Sequence, residues 1–185
     1  MVIRIPVNQQ MINDCFNFAT TIINGNNQYN RIPTTASTRI ERTFVGKLAE
    51  LAFLNYLNNN GKNYPMGTMF QIFQGQQNTD GYDFITRIGQ ESVDVKSASK
   101  PNHSRIMIPI DQFQNIPKDY YVGVRINAEV DNNNNILINT INSADIFGYC
   151  TYQELADNPT EDFGYPCKAM YLNQLTDIQQ LLNKF

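Results

Sequence analysis

The stretch YDFITRIGQESVDVKSA, residues 82–98, alternates between apolar and polar side chains on both sides of a Gly-Gln pair. This alternation predicts two β-strands, 82–88 and 91–98, and the Gly-Gln pair predicts a tight turn between them. The residues that flank Asp94 and Lys96 are β-branched or small, which favours an interior strand over a solvated edge. We therefore expect this hairpin to lie within a central sheet.

Charged side chains share one face of the predicted hairpin. Pairing its strands about the turn places Asp83 directly opposite Lys96 and makes Asp94 the diagonal neighbour of Asp83, with ~7–8 Å between Cα atoms. Because side chains alternate along a strand, one face of the hairpin carries six side chains, four of them charged: Asp83, Ile85, Arg87, Ser92, Asp94 and Lys96. Asp80 is three residues from Asp83 and would point the opposite way, so Asp83 is the better candidate.

Two carboxylates with a lysine beside them suit the hydrolysis of a phosphodiester. Mg²⁺ takes oxygen ligands from one or two carboxylates and keeps several waters. The metal acts as a Lewis acid on the phosphate, and a lysine can orient the attacking water. The alternative interpretation is a solvent-facing hairpin with a surface Asp–Lys pair, which contributes only ~0–1 kcal/mol to stability.

Two amphipathic helices are predicted before the hairpin, at 9–24 and 37–58. In the second helix Glu50 interrupts an apolar run, so it lies either on the solvated side or toward a cation. Gly46, one turn earlier, allows another chain segment or a ligand to approach closely. The remaining predicted elements are strands at 2–7, 69–73, 105–110, 120–126 and 136–141, a helical turn at 111–115, and helices at 151–156 and 172–185.

The order of these acidic residues resembles that of the PD-(D/E)XK nuclease superfamily, which includes type II restriction endonucleases and related DNA-repair nucleases. In that family a helix bearing Glu precedes a strand bearing Asp and a strand bearing (D/E)XK. The matching residues here are Glu50, Asp83 and the tripeptide Asp94-Val95-Lys96. Tyr82 stands where the proline that names the motif would be, and the second acid is Asp rather than the more frequent Glu.

The resemblance implies a fold, a metal site and a role for each matching residue. Asp83 and Asp94 would hold Mg²⁺, with the Val95 carbonyl as a further ligand and Glu50 binding directly or through water. Lys96 would position the nucleophilic water. The implied fold is α/β, with a mixed central β-sheet flanked by helices and a restriction-endonuclease-like core. We expect one nuclease domain, 1–185, with its core at about 35–126 and a C-terminal extension at 127–185.

DNA is the substrate that the resemblance implies, and two basic segments are candidates to contact it. Arg39 and Lys47 belong to the first segment; Lys100, His103 and Arg105 belong to the second. A solvated face would explain either segment equally simply. The expected activity is Mg²⁺-dependent endonucleolytic cleavage of double-stranded DNA, of the restriction type, and a homodimer would allow two cuts. The alternatives are a repair or junction-cutting nuclease of the same fold, and a catalytically inactive DNA-binding or accessory protein.

Composition narrows the other possibilities. The chain has 14 Lys and Arg against 17 Asp and Glu, a net charge of −3, so DNA binding would depend on local basic patches. The three cysteines include no CxxC pair, which argues against a zinc ribbon and is typical of reduced thiols in a cytoplasm. No window approaches ~18 consecutive apolar residues, so no membrane span is expected. His103 is the only histidine, and no P-loop, GxGxxG or GxSxG motif is present.

Overall fold

The computed structural model describes most of the chain, namely residues 1–25, 34–67, 69–72, 81–100 and 102–185. Asp80, the carboxylate set aside in favour of Asp83, lies outside the described residues. In chain order the strands and helices are β1 (Ile3–Pro6), α1 (Gln9–Asn24), α2 (Ala36–Asn59), β2 (Phe84–Ile85), β3 (Ser92–Ala98), β4 (Arg105–Pro109), α3 (Ile110–Asn115), β5 (Tyr120–Asn127), β6 (Glu129–Val130), β7 (Ile136–Leu137), β8 (Ser143–Thr151), α4 (Tyr152–Asp157), β9 (Thr160–Asp162), β10 (Pro166–Tyr171) and α5 (Ile178–Leu182).

A mixed five-stranded sheet forms the centre of the molecule, in the order β1-β8-β5-β3-β2. Strands β3 and β5 are parallel, and the other neighbouring pairs are antiparallel. The predicted α/β class and mixed central sheet are therefore confirmed. Because β1 and β8 belong to this sheet, it draws strands from both sides of the predicted core at 35–126.

Helices α1 and α2 cover one face of the central sheet. Each begins at a polar cap: the Asn8 side chain accepts a hydrogen bond from the Met11 N–H, and the Thr35 hydroxyl accepts one from the Thr38 N–H. Apolar side chains from both helices form one core with Val93 and Val95 of β3, with α2 against β3 and α1 against α2. The strand's other side chains, including Asp94 and Lys96, consequently face away from the two long helices.

A three-stranded antiparallel sheet, ordered β4-β10-β9, lies with short helices against the opposite face. Its apolar core joins Ile106 and Ile108 of β4 to Tyr121 of β5, and includes Phe113 of α3 and Leu155 of α4. Helices thus flank one face as predicted, whereas a second small sheet accounts for much of the other. This second layer is the one that the Asp94 and Lys96 side chains face.

Several predicted elements differ from the structure. The predicted strand at 136–141 is only the two residues of β7 followed by a 3₁₀ turn, Ile138–Thr140. The predicted helix at 172–185 is a 3₁₀ turn, Leu172–Gln174, followed by the short α5. No strand occupies 69–72, and residue 73 of that predicted strand lies outside the described residues. Strand β8, the nine-residue neighbour of β5, was not predicted.

No helix in the described part of the chain combines the length and the hydrophobicity needed to cross a membrane.

Candidate active site

The predicted hairpin forms, but with a longer turn and a different register. Phe84 pairs with Val93 and Ile85 with Ser92, so extending the register by one residue aligns Asp83 with Asp94 rather than with Lys96. The predicted pairing of Asp83 with Lys96 is therefore wrong by two residues.

The side chain of Thr86 explains the longer turn. Its hydroxyl donates to the Ile88 carbonyl and accepts from the Glu91 N–H, and its own N–H bonds to the Glu91 carbonyl. These bonds close a four-residue turn in which Gly89 and Gln90 have φ of +86° and +53°. A shift of two residues leaves every side chain on its predicted face, so Asp83, Asp94 and Lys96 still share one.

Asp83 is partly buried where the short strand β2 begins. Its Oδ2 accepts a hydrogen bond of 2.7 Å from the Val95 N–H. Burial raises the pKa of Asp83 well above its ordinary value, and the negative charges of Glu50 and Asp94 raise it further; the Val95 bond and Lys96 act in the opposite direction. Glu50 and Asp94 therefore lie close enough to Asp83 to oppose the ionisation of its carboxyl group.

Asp94 and Lys96 form the second part of the site. Asp94 is 8% exposed, and its Oδ2 lies 2.5 Å from the Lys96 Nζ. That oxygen nevertheless has no partner that meets hydrogen-bond geometry, although it is buried. The Lys96 ammonium also donates to Oε1 of Gln112 on α3, at 3.3 Å. Asp94 therefore has a buried acceptor that a cation could use more fully.

Glu50 reaches the site from helix α2. It lies one turn after Gly46, where α2 passes β3; a Cβ on that glycine would be 3.9 Å from the Ser97 Oγ, an ordinary contact, so the close approach expected at Gly46 does not require glycine. The Glu50 Oε2 accepts a hydrogen bond of 2.5 Å from the Lys47 Nζ, and both side chains are largely buried. Of the two orientations considered for Glu50, the structure therefore has the one toward a cation, and that cation is the Lys47 ammonium of the same helix.

Lys118 and Gln112 are site residues that the sequence interpretation missed. Lys118 is 5% exposed, and the charges of Asp94, Lys96 and Asp83 all influence its pKa, which burial lowers. Neither residue belongs to a recognisable motif. A lysine just before a strand as apolar as β5 was the available signal for Lys118, because such a residue is easily drawn into the interior.

The five predicted DNA-contacting residues are dispersed. Lys47 is paired with Glu50, and Arg39 is partly buried near the start of α2. Lys100 and His103 lie after β3, where the His103 N–H donates to the Lys100 carbonyl and His103 is exposed. Arg105 donates to Glu161 and to the Tyr171 hydroxyl within the second sheet. Their contact with DNA remains a prediction, and Lys47 and Arg105 would have to leave acidic partners to make it.

One pocket of the described structure lies away from these residues. It has a volume of about 450 Å³ and includes Ser99, Arg125 and Glu129 in its lining, but none of the site's carboxylates. The candidate site is therefore not this pocket but the charged cluster, whose members are Lys47, Glu50, Asp83, Asp94, Lys96 and Lys118.

Among the described residues, no group of three or more His, Cys, Asp and Glu side chains is arranged to hold a metal ion. The acids are held instead by nearby donors: Asp94 by Lys96, Asp83 by the Val95 N–H, and Glu50 by Lys47. The chemistry of the donors still fits Mg²⁺, which needs only one or two carboxylates, and the buried Asp94 Oδ2, whose contact with Lys96 is an ion pair without hydrogen-bond geometry, supports that fit.

No family model matches the chain, and searches of curated proteins and of solved structures likewise find no match.

Proposed function

We propose that this protein is a Mg²⁺-dependent endonuclease that hydrolyses DNA phosphodiester bonds and has a restriction-endonuclease-like core. The observation that carries the proposal is the pairing of Asp94 with Lys96 at 2.5 Å, on the face of β3 that aligns with Asp83. A buried carboxylate oxygen without a hydrogen-bond partner and a raised carboxyl pKa beside it are features that cluster at catalytic sites.

Each residue of the cluster has a role in the proposed reaction. Asp83 and Asp94 would hold Mg²⁺, with the Val95 carbonyl and Glu50 as further ligands, Glu50 either directly or through water. When bound, Mg²⁺ supplies Lewis acidity at the scissile phosphate. Lys96 orients the attacking water through its ammonium group, and the Gln112 amide, which accepts from that group, restricts where it points.

Double-stranded DNA is the proposed substrate, and restriction-type cleavage the proposed role. The stretch 99–105 leaves the end of β3 and carries donors that could read base edges, including Lys100 and His103. A repair or junction-cutting role would use the same chemistry on nicked or branched DNA, and cleavage of linear, nicked and branched substrates in parallel separates these roles.

The first test is cleavage of plasmid DNA by the purified protein. We expect cutting with Mg²⁺, none with a chelator, and a loss of about 10²-fold or more in Lys96→Ala, because the water then loses its positioning group. Lys184→Ala is the matched control. Lys184 also forms a carboxylate ion pair, at 2.6 Å to Glu91, and nothing in the proposed mechanism uses it.

Equal cutting rates for Lys96→Ala and the parent would refute this active-site assignment. Thermal melting of both variants shows whether a loss of cutting comes from unfolding.

A DNA-binding protein without turnover is the second candidate, and one observation favours it. Lys47 and Glu50 form an ion pair with each other, and their side chains are only 11% and 15% exposed. Glu50 therefore already has a cationic partner before any metal binds. This candidate predicts DNA binding without cleavage at any Mg²⁺ or Mn²⁺ concentration, in the parent and in Lys47→Ala. Cleavage by either protein would exclude it.

A further inference from the structure

Lys118 is an unusually buried lysine. It lies in the connection between α3 and β5, where its Nζ donates a hydrogen bond of 2.9 Å to the Ile116 carbonyl. Lysine is rarely buried this completely unless it is paired, because removing an ammonium group from water is costly. An ammonium group has three N–H donors, and the bond to Ile116 uses one.

The backbone of Lys118 is fixed close to the strand that carries Asp94. Its N–H donates to the Tyr121 hydroxyl at 3.2 Å, and Tyr121 is the neighbour of Asp94 across the parallel pair of β3 and β5. The next residue, Asp119, accepts hydrogen bonds of 2.7 Å from both the N–H and the hydroxyl of Ser92. The connection is therefore fixed to the start of β3, on the side that carries Asp94.

The numbers of acidic and basic side chains in the cluster suggest a role for Lys118. The cluster contains three carboxylates, of Glu50, Asp83 and Asp94, and three ammonium groups, of Lys47, Lys96 and Lys118. Lys47 is committed to Glu50, and Lys96 lies against Asp94. The charges of Asp94 and Asp83 raise the pKa of Lys118, against the lowering by burial, so Lys118 is a third cation near these two carboxylates.

We propose that Lys118 is a substrate-binding residue of this site: its ammonium group balances the charge of Asp83 and Asp94 in the protein alone and binds a DNA phosphate in the complex. The inference rests on the proposed nuclease function. It makes Lys118 a phosphate ligand beside the water-orienting Lys96, supplied by a different part of the chain.

The proposal predicts effects of opposite sign on two ligands. Without the Lys118 charge, the carboxylates attract a divalent cation more strongly, whereas the site attracts a phosphate less strongly. A residue that only supports the fold would weaken the binding of both ligands when it is replaced.

Binding of Mn²⁺ to the DNA-free protein, measured by isothermal titration calorimetry, is the first readout. In Lys118→Met we expect Mn²⁺ to bind about threefold more tightly or better, and Lys118→Arg to return to the parent affinity. Binding of duplex DNA in chelator is the second readout. We expect Lys118→Met to weaken it, and the Mg²⁺-dependent cleavage rate to fall about tenfold or more.

Lys168→Met is the matched control. Lys168 is partly buried, and its Nζ donates to the Ala156 and Asn158 carbonyls rather than to a carboxylate. Its replacement removes a comparable lysine and should leave both Mn²⁺ affinity and DNA affinity at the parent values. Lys118→Gln, which keeps a donor for the Ile116 carbonyl, replaces Lys118→Met if the latter does not fold.

Unchanged or weaker Mn²⁺ binding in a folded, uncharged Lys118 variant would overturn the proposal. Unchanged DNA binding and cleavage in that variant would also overturn it. If the parent cuts no DNA but Mn²⁺ still binds more tightly to Lys118→Met, the nuclease function fails while the place of Lys118 beside the carboxylates stands.

Discussion

The surroundings of Asp83 oppose the ionisation of its carboxyl group. Burial and two neighbouring carboxylates raise its pKa, so the folded protein binds the Asp83 proton more tightly than the unfolded chain does. Ionising Asp83 therefore costs stability, and this cost grows as the pH rises from the ordinary pKa of 3.8 toward the raised value. Such a cost is common where a site is arranged for a ligand rather than for stability.

Asp83→Asn should consequently stabilise the protein in chelator, by an amount that increases with pH across that window. The amide oxygen can still accept the Val95 N–H, so the charge is the main difference. Thermal melting at several pH values gives the comparison. A melting difference that does not change with pH would contradict the raised pKa.

Asp119→Asn is the control of opposite sign. Hydrogen bonds from Ser92 lower the pKa of Asp119, so its ionised form stabilises the fold above its ordinary pKa and loses that effect as the pH falls. Asp119→Asn should therefore destabilise the protein near neutral pH, where Asp83→Asn stabilises it.

At the residue scale, the sequence was sufficient to predict which side chains share a face when those residues belong to one hairpin. Asp83, Asp94 and Lys96 were identified because strand alternation survives a register error of two residues. Lys118 was not identified, because its approach to Asp94 depends on the parallel pairing of β3 with β5, which no local pattern encodes. Glu50 was singled out because it interrupts the apolar run of its helix and because of the order of acids along the chain.

At the scale of the elements, the contact between β8 and the segment before α5 leaves no room for a side chain at Gly148. Gly148 has φ of +150°, and a Cβ there would lie 2.2 Å from the Thr176 carbonyl oxygen. The Tyr149 and Thr176 backbones exchange hydrogen bonds of 2.9 and 2.8 Å at the same place. A side chain at Gly148 would have to displace backbone that is held on both sides.

Gly148→Ala should therefore destabilise the protein by about 3 kcal/mol or more, from strain and overpacking together. Gly164→Ala is the control, because φ is +90° there but nothing lies within 4 Å of the added Cβ. It should cost only about 1–2 kcal/mol of backbone strain. Urea denaturation gives both values, and equal costs would show that the contact with Thr176 is not limiting.

The long helices and β8 show why some elements could be predicted and others could not. Helix α1 matches its prediction at both ends, because its apolar periodicity is sustained and Gly25 follows it. Strand β8 contains Asp145, which pairs with Arg4 of β1, and the obligatory Gly148, so its sequence lacks a strand-like pattern. Residues 172–185 have helical spacing, but the bridge between Tyr149 and Thr176 interrupts them.

At the scale of the whole molecule, the described part of each chain contains one acidic cluster, and therefore one proposed active site. One active site cuts one strand at each encounter, so a monomer should convert supercoiled plasmid to nicked circles before any linear product accumulates. A homodimer should instead yield linear product directly, with a yield that rises with protein concentration. Gel electrophoresis of a time course at several protein concentrations separates these cases.

Sedimentation under the same conditions tests this interpretation independently. Direct linear product from a protein that sediments as a monomer would contradict the view that one chain makes one cut.

Strand β2 pairs with only the first two residues of β3, and no described strand continues beside the rest of that edge. An open strand edge invites pairing with another molecule, and charged groups on such an edge hinder it. The Asp83 carboxylate already occupies the Val95 N–H, a donor that a foreign strand would need. The Asp83 carboxylate thus also hinders fibril-like self-association, so replacing it with an apolar side chain should lower colloidal stability at high protein concentration.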